Sequence, residues 1–353
     1  MIDIRFATPD DTAHLMTFMH QHWRADHILS RNEALFRYDF QDGDRLNMAI
    51  ATRDGDIVGL FGFMKYNSLD LPDLAGSLWK VREDIGEPML GLRLRRFVIA
   101  NVPHRYFAAP GAGLQTRAIY HLIGMDWIEM EQYFIVNPDV TQHTLARISA
   151  LESAMPAMGS DADAGLAEVH DPYELAGFPL VEFNHIGPNK DWDYICRRFF
   201  EHPINDYRVF VFTQRGKPAN IVVCREAMHD GASALRIVDF YGDEQHMPAI
   251  TAALAQLMRS EGHEYLDFVC SGFTGQVMTD AGWQRLDFGR DDVIIPNYFE
   301  PFVQSNVRVY AVADRHPDIR PRLCRADGDQ DRPNFDRPSA VQPLGTLRRA
   351  AQS

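Results

Sequence analysis

Cysteine is sparse in this 353-residue chain, and no two lie close together: Cys196, Cys224, Cys270 and Cys324 are 28, 46 and 54 residues apart. Without a CxxC pair the common zinc frameworks are excluded, and in a reducing compartment the thiols read as small buried hydrophobes. Long apolar runs are missing too. Charge or proline interrupts each within a few residues, far short of the roughly 20 that cross a bilayer. The opening MIDIRFATPDD has no basic stretch leading into an apolar one, so it does not read as a signal peptide. The expectation is a cytoplasmic protein with no membrane partner. Positive charge is also in deficit: 35 Lys+Arg against 49 Asp+Glu give −14. With no basic patch to offset it, that balance argues against a nucleic-acid partner.

What is present is an ordinary globular composition, 46% hydrophobic and 24% charged, in a chain too long for one typical core. Two domains are expected, and the order of elements repeats. In the first half a strand over 47–52, a turn at Asp54-Gly55 and a strand over 56–66 make a hairpin. A third strand around 77–82, a helix from Gly91 to Val102, a short strand in RYFAAPG and a helix from Gln115 to Gly124 follow. The second half repeats this with strands at 208–214, 219–226 and 234–242, a helix over 248–259, a strand over 264–270 and a short helix ending at Gly282. From turn glycine to helix-ending glycine the distance is 69 residues in one half (Gly55 to Gly124) and 66 in the other (Gly216 to Gly282). The organisation read from this is a first module over 1–152, an Ala/Gly/Ser/Asp-rich linker over 153–171, a second module over 172–331 and a loose tail over 332–353.

Two motifs in the first half carry chemistry. The loop GEPMLGLRL leads from the third strand into a helix, and Gly91 at the helix start would let an anion approach the free backbone N–H groups. Further on, Gln115, Ala118, Tyr120, Gly124 and Met125 form a spaced set on the following helix. In this order the chain resembles the Gcn5-related N-acetyltransferase (GNAT) superfamily. The resemblance implies an α+β fold of two tandem GNAT-like modules, each a mixed, mostly antiparallel sheet flanked by helices. It implies acetyl-CoA or another acyl-CoA as co-substrate, a small amine as acceptor and no metal. Leu90, Gly91 and Leu92 fall on the end of the family's Q/R-x-x-G-x-G/A loop that holds the pyrophosphate, although Met89 replaces its first glycine. Trp79 and Val81 fall on the strand that splays from its neighbour to bond the pantetheine arm. Gln115 replaces the usual Asn, and Tyr120 takes the place of the tyrosine that protonates the departing thiolate. The plainer readings are a turn that binds nothing, a Trp79 that is core and a Tyr120 hydroxyl bonded to backbone.

An amine acceptor needs a base. HQHWRADH offers His20, His22, Asp26 and His27, just before Ser30-Arg31-Asn32-Glu33, which has the form of a capping box. Asp26 or His27 is the candidate, against the commoner role of such residues on a solvated helix face. No carboxylate or cysteine completes a metal spacing here. In the second half Asp243 and Glu244 stand where a pyrophosphate would lie, and Met278 stands four residues before Gly282 as Tyr120 does before Gly124. Like charge opposes an anion, so this half is expected to have lost acyl-CoA chemistry. Asp327, Asp329 and Asp331 alternate without the distal Glu of a calcium loop and read as a solvated turn pairing with Arg325 or Arg332. With IPNYFEPF, this segment resembles tandem GNAT-like proteins encoded beside bacterial surface-polysaccharide enzymes, which implies an amino-sugar acceptor, often nucleotide-linked. The expected function is an N-acyltransferase. Its rivals are a noncatalytic scaffold or ligand-binding protein of the same fold and an aminoacyl or peptidyl transferase, which the net charge disfavours.

Overall fold

The structure, a computed structural model, describes residues 1–149 and 164–334. Three two-residue hairpin turns set the register. Asp54-Gly55, Arg215-Gly216 and Asp230-Gly231 all have positive φ at both positions, the type I′ geometry that matches strand twist. They join β2 (Met48–Arg53) to β3 (Asp56–Lys65), β8 (Arg208–Gln214) to β9 (Lys217–His229), and β9 to β10 (Ala232–Gly242). The other strands of the main sheet are β1 (Ile2–Phe6), β4 (Asp73–Val81), β5 (Tyr106–Pro110), β6 (Asp126–Val136), β7 (Ala164–Val169), β11 (Tyr265–Ser271), β12 (Gln284–Arg285), β13 (Val309–Ala313) and β14 (Leu323–Cys324). Together they form one 14-stranded sheet in the order β1-β2-β3-β4-β5-β13-β6-β11-β10-β9-β8-β7, with β12 on β6 and β14 on β11. Within this sheet, among the described residues, only β4–β5 and β10–β11 are parallel pairs.

The halves are joined by exchanged strands. β13, from near the end of the chain, lies between β5 and β6 of the first half. In return, β6 gives residues 126–130 to β13 and residues 131–136 to β11, so one strand serves both halves. Alternation along the strands sorts the core. Ala49, Phe61, Phe63 and Leu74 pack under α3 (Leu90–Asn101) and α4 (Arg117–Leu122). Met48, Ile50, Leu60 and Leu78 face α1 (Thr12–His22) and α2 (Glu33–Phe40) on the opposite side. The second half packs α6 (Met247–Glu261) and α7 (Gly275–Asp280) on one face and α5 (Trp192–Phe199) on the other.

Several sequence expectations are corrected here. Residues 164–169 fall within the span read as linker, yet they form β7 and pair with β8 along their whole length; residues 153–163 lie outside the described part. The tail reading covered Arg332 as well, but this side chain is buried and ion-paired with Asp39 at 2.9 Å, while 335–353 lie outside the described residues. The N-cap of α2 is Asn32, whose side chain accepts from Leu35 N, and Ser30 instead donates to the His27 carbonyl at 2.7 Å. The Asp327–Asp331 run is not a solvated turn. Asp327 and Asp331 are fully buried, the first beside Lys190 and the second beside Arg198 and Arg225.

Candidate functional site

β4 and β5 pair only from Asp73–Ala75 to Tyr106–Ala108, then diverge. Beyond Ala75, the β5-facing edge of β4 carries unpaired backbone groups, which an extended ligand can bond. The far end of β4 leads through a 3-10 turn, Glu83–Ile85, to the start of α3. Met89 caps α3 in the left-handed region (φ 65°), no side chain caps its free N–H groups and no acid lies in its first turn. Gly91 is required there sterically, since a Cβ would lie 2.7 Å from Nε1 of Trp79. Leu90 and Leu92 are core side chains, so only their backbone can meet a ligand. Val81 is held against Gly59 of β3. Gln115 is exposed, with its amide folded over Gly113. Exposed Met89, Leu114 and Leu122 give this mouth an apolar rim.

Trp79 meets Tyr120 edge to face, with ring centroids 5.6 Å apart, so Trp79 is shared between the core and the mouth. Tyr120 is buried, and burial pushes its hydroxyl up to about 12 against the opposing charge of Arg95. Among the described residues that hydroxyl makes no hydrogen bond. The plainer reading, a hydroxyl bonded to backbone, is therefore not what is found.

On the opposite face the same divergence is crossed by residues 325–332. Gly328 packs on Pro110 at the end of β5, where a Cβ would lie 2.5 Å from the Pro110 carbonyl oxygen. Ser77 Oγ donates to Asp329 Oδ1 at 3.0 Å, and Asp329 is also paired with Arg332. Beside this bridge is a cavity of about 340 Å³, lined by Tyr38, Met64 and Tyr66 from the first half and by Tyr194, Arg197 and His202 from the second. Asn47 lines it too, with a buried Oδ1 that accepts no hydrogen bond. Both halves are needed to make this cavity.

The two base candidates lie elsewhere in character. Asp26 is 77% exposed and faces only Arg24 at 3.6 Å. His27 is buried, its ring tilted at 46° against Trp23 with centroids 4.4 Å apart, and its Nδ1 accepts from Leu29 N at 3.2 Å. Burial and the nearby Arg332 lower it to about 4, so the ring is neutral with its proton on Nε2. In that tautomer His27 has no free lone pair to take a proton, and its role is that of a cap. His20 and His22 lie in the last turn of α1, toward solvent. Ser77, Asn47 and Arg95 are not singled out by sequence reasoning because no local motif marks them; Asp329 stands out only as part of the alternating Asp327–Asp331 run and reads as a turn residue, because its partner Ser77 is distant in the chain.

The second half diverges in the same way, with β10 and β11 paired only from Leu235–Ile237 to Leu266–Phe268. Here the chain itself fills the space: β14 pairs with Cys270 and Ser271 on β11. Lys190 Nζ lies 2.6 Å from Asp239 and 2.5 Å from Asp327, fully buried. Glu244 accepts from Thr274 N and Oγ1, Asp243 caps the turn before α6, and Met278 is core. Two groups could supply metal ligands, Asp239/Cys324/Asp327 and Glu226/Glu261/His263. Lys190 already sits among the first and Arg208 pairs with both glutamates of the second, so each has a resident positive charge. Among the described residues no helix is long and apolar enough to cross a membrane.

No protein-family model and no characterised protein sequence matches the chain. Solved structures do. A GCN5-related N-acetyltransferase from Anabaena variabilis is similar at TM-score 0.54 and 12% identity, over 89% of this chain and 72% of that one. Another from Kribbella flavida gives 0.54 at 12% identity over 88% and 71%. A GCN5-related glucosamine N-acetyltransferase region of a fungal multi-domain β-N-acetylglucosaminidase gives 0.51 at 10% identity, over 89% of this chain and 38% of that one. At such identities the likeness establishes the fold, the mixed α+β fold of the GCN5-related N-acetyltransferases.

Proposed function

We propose that the chain is a GNAT-type N-acyltransferase, cytoplasmic, whose first half holds acyl-CoA in the β4–β5 divergence while the amine acceptor enters from the composite cavity. One observation carries this reading: among the described residues no strand pairs into the first divergence as β14 does into the second, and it has a tyrosine hydroxyl without a hydrogen-bond partner on one face and a carboxylate on the other. In this reading the start of α3 holds the pyrophosphate and the free edge of β4 bonds the pantetheine amides. Asp329 takes the proton of the acceptor ammonium. The amine nitrogen then attacks the thioester carbonyl and releases its second proton to solvent water, the C–S bond breaks with its electron pair on sulfur, and Tyr120 supplies the proton that makes the thiol. The cavity's tyrosines, the Asn47 carbonyl and its mixed charges suit a polyhydroxylated amine. An amino sugar is the acceptor class we favour, and glucosamine is the simplest match to a site of this polarity.

The Trp79 indole against Gly91 favours one rival, a ligand-binding protein of this fold without turnover. Thermal shift with coenzyme A and acetyl-CoA, followed by thiol release with glucosamine, tests both. Ligand at a hundred times its Kd adds about 2.7 kcal/mol of stability. Binding that is abolished by Gly91→Glu, together with thiol release, supports the transferase. Binding without thiol release supports the rival, and no shift with either ligand overturns both.

A further inference from the structure

Arg95 projects from the middle of α3 into the apolar layer between helix and sheet. It is 8% exposed. Its guanidinium lies 5.0 Å from the Phe107 ring centroid and its Nη2 donates to Sδ of Met125 at 3.2 Å, while Nε has no hydrogen-bond partner. Among the described residues no carboxylate is close enough to form an ion pair with it. Met125, whose sulfur it touches, donates its backbone N–H to the Tyr120 carbonyl at 3.1 Å, and Phe107 under the guanidinium packs in the same core layer as Tyr120. The titratable groups facing it are Tyr120 on α4 and Asp314 just after β13. Asp314 is engaged by Phe107 N at 2.9 Å, with His104 and His316 also near it, and burial raises its affinity for a proton. Asp314 is thus a weak counter-charge for Arg95. A guanidinium buried without a counter-ion is destabilising, and a core selected for stability alone would place a methionine or leucine there.

We propose that Arg95 is a positioning residue for acyl transfer: its unneutralised charge, fixed beside Tyr120, stabilises the phenolate left when the Tyr120 hydroxyl gives its proton to the departing thiolate. The inference rests on the reading of Tyr120 as the acid. As the C–S bond breaks, its electron pair goes to sulfur, the Tyr120 proton follows, and the negative charge moves onto the phenolic oxygen. A fixed cation in a water-poor layer stabilises that charge without reorganising. Water returns the proton to the phenolate after the thiol leaves.

The test measures thiol release from acetyl-CoA with hydroxylamine, a small nucleophile that does not depend on the acceptor cavity, in Arg95→Met, Arg95→Lys, Tyr120→Phe and the double variant Arg95→Met/Tyr120→Phe. Arg95→Met keeps the volume of the stem and removes the charge. Its kcat is expected to fall about 10–10²-fold with KM for acetyl-CoA unchanged and Tm equal to or above wild type. Arg95→Lys should recover most of the loss. In the Tyr120→Phe background the same replacement should cost nothing further, because there is no phenolate to stabilise. Wild-type kcat in Arg95→Met, or an equal loss with and without Tyr120, overturns the inference while leaving the transferase reading intact. Should Arg95→Met fail to fold, Arg95→Lys decides, since a purely structural role is lost or kept equally in both backgrounds. A wild-type protein that shifts with neither ligand and releases no thiol overturns the transferase reading itself.

Discussion

Ser77 donates its hydroxyl proton to Asp329 at 3.0 Å, although 252 residues separate the two in sequence. The bond ties the segment after β14 to the free stretch of β4, and it fixes a carboxylate at the divergence of the first half. If Asp329 is the base, Asp329→Asn should lower turnover with glucosamine by about 10²–10⁴-fold. With hydroxylamine, whose nitrogen is largely unprotonated at neutral pH, the same variant should lose far less. Asp26→Asn, at a side chain already in solvent, should change neither rate nor Tm. Equal losses of Asp329→Asn with both amines would remove Asp329 from the base role.

Tyr120→Phe keeps the ring against Trp79 and removes a hydroxyl that bonds to nothing among the described residues. Stability should therefore move by less than the roughly 1 kcal/mol that a lost hydrogen bond costs. Affinity for coenzyme A should hold while turnover falls about 10²–10⁴-fold. Melting and turnover measured on one sample separate this from a structural tyrosine, which would show the reverse pattern.

The local signals in the sequence account for much of the fold and less of the site. Asp54-Gly55 and Arg215-Gly216 announce hairpins because positive φ at two successive positions is a local requirement, and the helix from Leu90 starts within one residue of the expected place. The divergence of β4 from β5 was implied by the resemblance alone, not by any local signal, and the pairing of the two strands ends at Ala75. β13 is different in kind: its residues alternate like any strand, but nothing within Val309–Ala313 says that its neighbours are Ala108–Pro110 and Asp126–Met130. For the same reason Asp327 and Asp331 read as solvated. Their partners Lys190, Arg198 and Arg225 are more than 100 residues away, and burial of a charge is legible only once its partner is known.

The strand exchange gives a prediction about autonomy. Residues 1–155 alone lack β13, which leaves β5 and the first part of β6 with unpaired edges, and they expose the 131–136 edge that β11 covers. Open edges of that length template aggregation. Expressed alone, the fragment should be insoluble, and co-expression with residues 156–353 should return it to solution. A fragment that is soluble, melts cooperatively and turns over acetyl-CoA would show that the exchanged strand is dispensable.

Two histidines make stability depend on pH in one direction. His27 is lowered to about 4 by burial and then Arg332, and His202 to about 3 by burial and then Arg198. Each Nδ1 accepts backbone N–H groups, Leu29 for His27 and Ile204 and Asn205 for His202, so each is folded in its neutral form. In the unfolded chain both titrate near 6.5. Below that value the unfolded chain binds protons that the folded chain refuses, so stability is fully present above about pH 6.5 and falls as pH drops toward 4. The slope is at most about 1.4 kcal/mol per pH unit for each histidine. His27→Asn keeps an acceptor for Leu29 N but removes the titration. Near pH 7.5 it should melt below wild type because the ring contact with Trp23 is gone. That gap should narrow or reverse by about pH 4.5, where only wild type is losing stability through residue 27. Parallel melting curves across the range would show that His27 does not carry this dependence.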